Sequence, residues 1–258
     1  CSNIIQRVMA LGLGLGIQHD NKVSSEAFSL TDVAGLQLWA KNKTDVTTGA
    51  TLTWADQSGN GNDITQVVVN SQPTYAGGDG SFDFTGSNNA APIFMDMDAT
   101  LSLQAFSAFY VVEMTIDATN EFYGLSQLVT DANNRHIQMF GNTTATFSYL
   151  IGGSGSTTKV NALQNTSNAP TNGTKFIFGV SKDAIASGTT VFTNNGDTMN
   201  SSTTYTSPAP VQINSLGYEV NGGRSFDGKI FEVAFYNQYI SGDNYTNIIN
   251  DLKSRNSI

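Results

Sequence analysis

The sequence predicts an all-β fold, an antiparallel β-sandwich, with an N-terminal arm and a short C-terminal helix attached. Three observations carry this. Apolar residues recur with a period of two in several stretches, most clearly from Phe106 to Met114. Turn formers divide those stretches, in a chain with 25 Gly, many Ser, Thr and Asn, and only 13% charged residues. A helical apolar spacing with a clean start occurs near the end, where Tyr245, Ile248, Ile249 and Leu252 fall at i, i+3, i+4 and i+7 behind the N-cap candidates Ser241 and Asp243. At 258 residues the chain suits one large sandwich. The expected division is an arm over residues 1–30 and a sandwich over 31–258.

Residues 1–30 differ from the rest. Ile4, Ile5, Val8 and Met9 share a helical face, and the run Leu11 to Ile17 then alternates large side chains with glycine, which breaks a helix. The apolar run from Val8 to Ile17 is too short to span a bilayer as a helix. Its GLGLG lacks the strand-turn-helix setting of a dinucleotide loop, and Gln18-His19-Asp20 is not a signal-peptidase site. An exposed apolar arm calls for a covering surface, either a partner subunit or its own sandwich.

From Gly35 the elements follow in order. Leu36, Leu38 and Ala40 alternate with polar neighbours around Trp39 as a strand with one buried face, and Leu52-Thr53-Trp54 makes a second. Ala55 to Asp63 (ADQSGNGND) is dense in residues that bond their own backbone, the signature of a built corner. Phe106 to Met114 reads as a central strand, apolar on one face and mixed on the other. Leu125–Val129, His136–Phe140 and Ala145–Ile151 follow as hairpin-linked strands, and Lys175–Ser181 resumes strand character. Thr189 to Thr193 ends in Asn195-Gly196, a strong tight-turn signal, and Val211–Gly217 and Gly228–Tyr236 are the last strands, the latter closing the sheet. The final helix is expected along the sandwich rim. Both Trp and most Phe sit at alternating positions and read as core.

The strand Leu36-Gln37-Leu38-Trp39, the corner from Trp54 to Asp63, Pro73-Thr74-Tyr75, the hairpin Phe82-Asp83-Phe84-Thr85-Gly86, the Thr189–Asp197 hairpin and the strand Phe226 to Asn237 (FDGKIFEVAFYN) occur in this order. Together they resemble the concanavalin A-like, laminin-G-type lectin/glucanase sandwiches, over roughly residues 33–254. The resemblance implies a concanavalin A-like jelly roll, of a kind that recurs in bacterial surface proteins and in virion proteins of tailed bacteriophages. It also brings glycoside hydrolases into view, which need two carboxylates across the scissile bond. The hydrolases' E-x-D-x-x-E strand is not reproduced by Glu113-Met114-Thr115-Ile116-Asp117 or around Glu232. Relatives of this type also hold calcium through rim oxygens, and Asp56–Asp63, Asp79–Asp83 and Asp131–Asn134 are the oxygen-rich loops here. Turn propensity accounts for the same residues without metal.

No catalytic, cofactor-binding or metal-ligating residue is assigned. His19 and His136 are the only histidines, and no nucleophile elbow is present. The single cysteine, Cys1, excludes an intrachain disulfide and a cysteine-bound zinc; it reads as the residue after a removed initiator Met, as a lipid-modified terminus, or as a functional thiol. A net charge of −9, with 12 scattered Lys and Arg, argues against a nucleic-acid partner. The function expected is a non-enzymatic structural, decoration or adhesin protein on the exterior of a tailed-phage virion, oligomeric within an assembly and anchored to capsid or tail through residues 1–30. The alternative is a carbohydrate-binding module of a secreted or lipid-anchored bacterial surface protein, with Tyr123, Tyr149, Tyr205 and Tyr218 as the aromatic faces. Host-surface glycans are expected partners in either setting.

Overall fold

The computed structural model describes residues 27–85, 92–114, 121–127, 136–141, 146–152, 159–165, 170–183, 190–202, 210–217 and 226–258, in part as backbone alone. In chain order the strands are β1 Leu36–Ala40, β2 Val46–Thr47, β3 Leu52–Trp54, β4 Ile64–Gln66, β5 Thr74–Ala76, β6 Ser81–Asp83, β7 Met95–Leu103 and β8 Phe106–Met114. They continue with β9 Glu121–Gln127, β10 His136–Gly141, β11 Thr146–Gly152, β12 Lys159–Asn165, β13 Phe176–Lys182, β14 Thr190–Asn194, β15 Asp197–Ser202, β16 Val211–Leu216 and β17 Gly228–Tyr236. A single helix, α1 Gly242–Asn256, ends the described chain.

The strands form two antiparallel sheets, as expected. One runs β15-β14-β13-β8-β17-β6-β5, with β1 sharing the far side of β17 with β6; the other runs β12-β11-β10-β9-β16-β7-β4-β3-β2. Alternation explains what lies between them. Ala108, Tyr110, Val112 and Met114 of β8, and Phe176, Phe178 and Val180 of β13, point inward and meet Trp54, Ile64, Met95, Leu103 and Ile213 of the opposite sheet. Asn195 and Gly196 both take positive φ (53° and 92°), so β14 and β15 are joined by the tight turn that the Asn-Gly pair predicts.

A second apolar layer lies on the outer face of the eight-stranded sheet. There Trp39, Phe109, Val111, Ile177, Phe231, Ala234 and Tyr236 pack against Ile248, Ile249 and Leu252 of α1 and against Leu30 and Val33. The helix therefore covers a sheet face rather than the rim. This corrects the one-sided burial expected of β1, whose outward Leu36 and Trp39 are also buried; β8 is central, as expected, and Phe109 and Val111 of its mixed face lie in the same outer layer. Of the arm expected over residues 1–30, positions 1–26 lie outside the described residues. Phe28 is packed on the outer layer, Leu30 is fully buried, and the Leu30 carbonyl accepts a 3.0 Å bond from the Tyr236 hydroxyl.

Other differences are local. The strand β17, expected to close the sheet, lies inside it between β8 and the β6/β1 pair. The strand β9 begins at Glu121, before the expected Leu125, and β2, β7 and β12 were not anticipated. The residues of β7 alternate throughout, Met95, Met97, Ala99, Leu101 and Leu103 against Asp96, Asp98, Thr100 and Ser102, a strand signal in itself, whereas in β12 polar residues break the alternation and neighbours rather than pattern determine the strand.

Candidate functional site

The Asp56–Asp63 corner is built as a substitute for a missing partner strand. One side of β1 pairs with β17, and its other side is filled by corner residues. The Asn60 and Asn62 side-chain amides donate to the Leu36 and Gln37 carbonyls at 2.8 and 2.7 Å. The Gln57 N–H donates to the Trp39 carbonyl at 2.8 Å. Asp56 closes the knot: Oδ1 accepts from the N–H groups of Trp39 and Ser58, both at 2.8 Å, and Oδ2 accepts from Ser58 Oγ at 2.7 Å and Asn62 N at 3.0 Å.

Both Asp56 oxygens are thus committed to donors, which accounts for this loop without calcium. Asp79 likewise accepts from the Ser81 N–H and hydroxyl, and Asp83 from the Thr85 N–H. Among the described residues no group of three His, Cys, Asp or Glu is placed to hold a metal ion, and Asp131–Asn134 lies outside them. Asp56→Ala is expected to cost about 2–3 kcal/mol by stranding partly buried N–H groups, with no change in stability on adding calcium. Urea denaturation with calcium or with chelator measures both.

Of the carboxylates considered for hydrolysis, the described Glu113 and Glu232 are each engaged by basic residues. A register shift between Ile230 and Glu232 turns Phe231 and Glu232 together toward α1. Glu232 is completely buried there. Its Oε1 accepts from Trp39 Nε1 at 2.7 Å and Arg255 Nη2 at 2.8 Å, and its Oε2 from Asn256 Nδ2 at 2.7 Å. The Arg255 guanidinium lies over the Trp39 ring, 5.0 Å from its centroid, and also bonds Asp251. Glu113 pairs with Lys229 at 3.4 Å. A sealed, fully hydrogen-bonded carboxylate serves neither as general acid nor as nucleophile, so Glu232 is a structural anchor for the end of α1. Asp117 and His19 lie outside the described residues, as do the side chains of His136, Tyr123 and Tyr149 and the whole of Tyr205 and Tyr218.

The candidate site is a groove at the other end of α1. Its floor is the outer face of β13 to β15, contributed by Ser181, Val191, Thr193 and Thr198, and its wall is the link from Tyr239 to Gly242 with Tyr245 from the first turn of α1. The cavity measures about 270 Å³ and is open to solvent. The link is pinned to the sheet: the Ile240 N–H donates to Ser107 Oγ at 2.9 Å, and that hydroxyl bonds Ser181 Oγ at 2.9 Å. Tyr245 reaches the sheet only because position 179 is glycine. A Cβ at Gly179 would lie 2.4 Å from Thr193 Oγ1 and 2.6 Å from the Tyr245 hydroxyl, which are bonded to each other.

None of these lining residues is charged. Burial pushes the Tyr245 phenol up to about 12, against the Thr193 bond that lowers it, so it keeps its proton at neutral pH. Tyr239 is 38% exposed, an aromatic face at the mouth of the groove. Ser241, the residue capping α1, makes no side-chain capping bond, leaving its hydroxyl available at the rim. The arrangement offers hydroxyls, backbone and an aromatic ring, chemistry suited to a neutral polyhydroxylated ligand.

Sequence reasoning missed this groove. Tyr239 lies in an irregular link, and only its place two residues before the N-cap candidate Ser241 marks it as set at a helix entrance.

No protein-family profile and no curated protein matches the chain. Solved structures do. The binding domain of Paraclostridial Mosquitocidal Protein 1 is 10% identical with a TM-score of 0.61, over 87% of this chain and 53% of that one. The ligand-binding domain of botulinum neurotoxin serotype D, solved in complex with N-acetylneuraminic acid, is 12% identical with a TM-score of 0.60, over 86% of this chain and 53% of that one. Trypanosoma rangeli sialidase, in complex with 2,3-difluoro-KDN, is 11% identical with a TM-score of 0.58, over 88% of this chain and 34% of that one. The chain thus spans about half the length of the toxin domains it matches. At these identities the likeness is one of fold, a lectin-like β-sandwich.

Proposed function

We propose that this chain is a non-enzymatic, lectin-like binding module that takes a saccharide in the groove between α1 and β13–β15. The observation that carries the reading is the groove itself: uncharged, hydroxyl-lined, with the exposed Tyr239 ring at its mouth. Sugar recognition combines stacking of a ring's apolar face on an aromatic with hydrogen bonds from its hydroxyls. The matched toxin domain's complex with N-acetylneuraminic acid supports a sugar as ligand, and the sealing of Glu232 supports binding without hydrolysis. A glycan array with the intact chain tests this. Specific binding is expected, and Tyr239→Ala should weaken it about tenfold or more with melting temperature unchanged, because Tyr239 is exposed. Absence of binding across the array, or equal binding by the variant, overturns the reading.

The setting in which the module works is a second matter, and the motif resemblance from Leu36 to Asn237 favours the exterior of a tailed-phage virion. There the sandwich is displayed and the apolar residues of the arm before Phe28 attach it to capsid or tail, in several copies. No described helix is long and apolar enough to cross a membrane. Detection of the chain in purified particles supports the virion setting; its absence from particles whose genes are expressed leaves a bacterial surface module.

A further inference from the structure

We infer that the saccharide is acidic, with a neutral ring against Tyr239 and a carboxylate- or sulfate-bearing ring beside Lys253. This rests on the saccharide-binding reading above. A second hollow of about 190 Å³ adjoins the first, sharing Gly196 and Tyr245 with it, and is lined also by Asn195, Thr246, Ile249, Asn250 and Lys253. The residues Thr246, Asn250 and Lys253 follow one side of α1 at i, i+4 and i+7, so the two hollows extend along the helix from its first turn to its last. From Gly242 to Lys253 that is roughly 16 Å of helix, a span for a chain of sugar rings rather than one.

The two hollows differ in charge. The lining of the first carries none, whereas the second holds one ammonium group. Other cations nearby are engaged: Lys229 with Glu113, Arg255 with Glu232 and Asp251, and Lys175 with the Asn256 carbonyl. Lys253 makes no ion pair with a described residue, although the chain carries a net charge of −9. A lysine in the last turn of a helix is favoured by the dipole alone; its place in the wall of a hollow continuous with a hydroxyl-lined groove is what gives it a ligand to meet. Asn250 adds an exposed amide, and the Thr246 hydroxyl already donates to the Gly242 carbonyl, leaving its lone pairs toward solvent. The Asn250 amide donor beside one cation matches an oxyanion carried on a sugar. Gly196 keeps the junction open: a Cβ there would press on Ile249 at 3.1 Å in a backbone conformation with φ of 92°.

The test uses matched sets of oligosaccharides that share a neutral core and carry no anion, a carboxylate (a sialic or uronic acid) or a sulfate. They are titrated by calorimetry into the wild-type chain, Lys253→Gln and Tyr239→Ala. The wild type should bind acidic members about three- to fivefold more tightly than the neutral parent, the range expected of one partly exposed charge contact. The preference should shrink as salt is raised. Lys253→Gln should keep the affinity for the neutral parent and lose the preference, while Tyr239→Ala loses all members alike. A stronger response to carboxylate than to sulfate, or the reverse, names the anion. Equal binding of neutral and acidic members by the wild type, or a preference that survives in Lys253→Gln, overturns the acidic assignment while leaving the saccharide site standing. A wild type that binds no member overturns both.

Discussion

Replacing Glu232 with alanine is expected to destabilise the protein by about 3–5 kcal/mol, the cost of breaking a buried ion pair from one side. The expectation follows from what the carboxylate does. It is completely buried on the outer face of β17 and accepts three hydrogen bonds, from Trp39 of β1 and from Arg255 and Asn256, the last two residues of α1. Removing it leaves the indole N–H without an acceptor, the Asn256 amide with the Leu252 carbonyl alone and the guanidinium with Asp251 alone. Asn256 also bonds Asn42, so the loss spreads to the loop after β1. Glu232→Gln keeps the volume and one acceptor oxygen and should cost about 1–2 kcal/mol. Arg255→Leu combined with Glu232→Ala should cost less than the two single changes added, because the second removal no longer strands a charge. Urea denaturation of the four proteins at constant slope supplies the cycle.

Trp54→Ala should have a comparable effect, about 3–5 kcal/mol, by a different route. Trp54 comes from β3 in the nine-stranded sheet and stacks on Phe82 of β6 in the eight-stranded one, with ring centroids 4.3 Å apart; Phe82 in turn contacts Tyr75 at 4.9 Å. The indole is 1% exposed and donates to the Lys41 carbonyl at 2.9 Å. Truncation opens a cavity between the sheets and leaves that carbonyl with the Thr44 N–H, at 3.2 Å, as its remaining donor. Trp54→Phe keeps the stack and loses the hydrogen bond, so it should fall near 1–2 kcal/mol. Thermal unfolding of both variants separates packing from hydrogen bonding.

These two tryptophans show how far the sequence could be read. Both were expected in the core, and both are buried, but the alternation around them did not reveal that there are two cores. Trp54 belongs to the layer between the sheets and Trp39 to the layer under α1. Leu36 to Ala40 looks like a strand with one apolar face plus an extra aromatic. The register shift between Leu36 and Leu38 turns Leu36 to the face that Trp39 occupies, and a helix from more than 200 residues later in the chain covers that face and buries Trp39. Local patterns declared themselves where backbone geometry makes strict demands, as at Asn195-Gly196 and in the Asp56–Asp63 corner. They failed where a strand is held by its neighbours, as in β12, whose polar residues resemble loop.

The candidate groove was less legible for the same reason. Ser181, Thr193, Thr198, Tyr239 and Tyr245 come from three strands, a link and a helix. No spacing unites them, and what brings them together is the small size of Gly179 under the Tyr245 ring. Glu232 illustrates the converse: its place on a strand of lectin/glucanase type made it a carboxylate to weigh for catalysis, yet its environment consumes both oxygens. Charge in a sequence signals chemistry only after its partners are known.

Two-dimensional NMR of the uniformly labelled chain, titrated with the tightest-binding glycan, tests the placement of the site most directly. The amide resonances of Gly196, Thr198, Tyr239, Ser241 and Gly242 should shift in a saturable way, and those around the Asp56–Asp63 corner should stay in place. Saturable shifts confined to the nine-stranded sheet, with the α1 groove silent, would contradict the assignment of binding to this face.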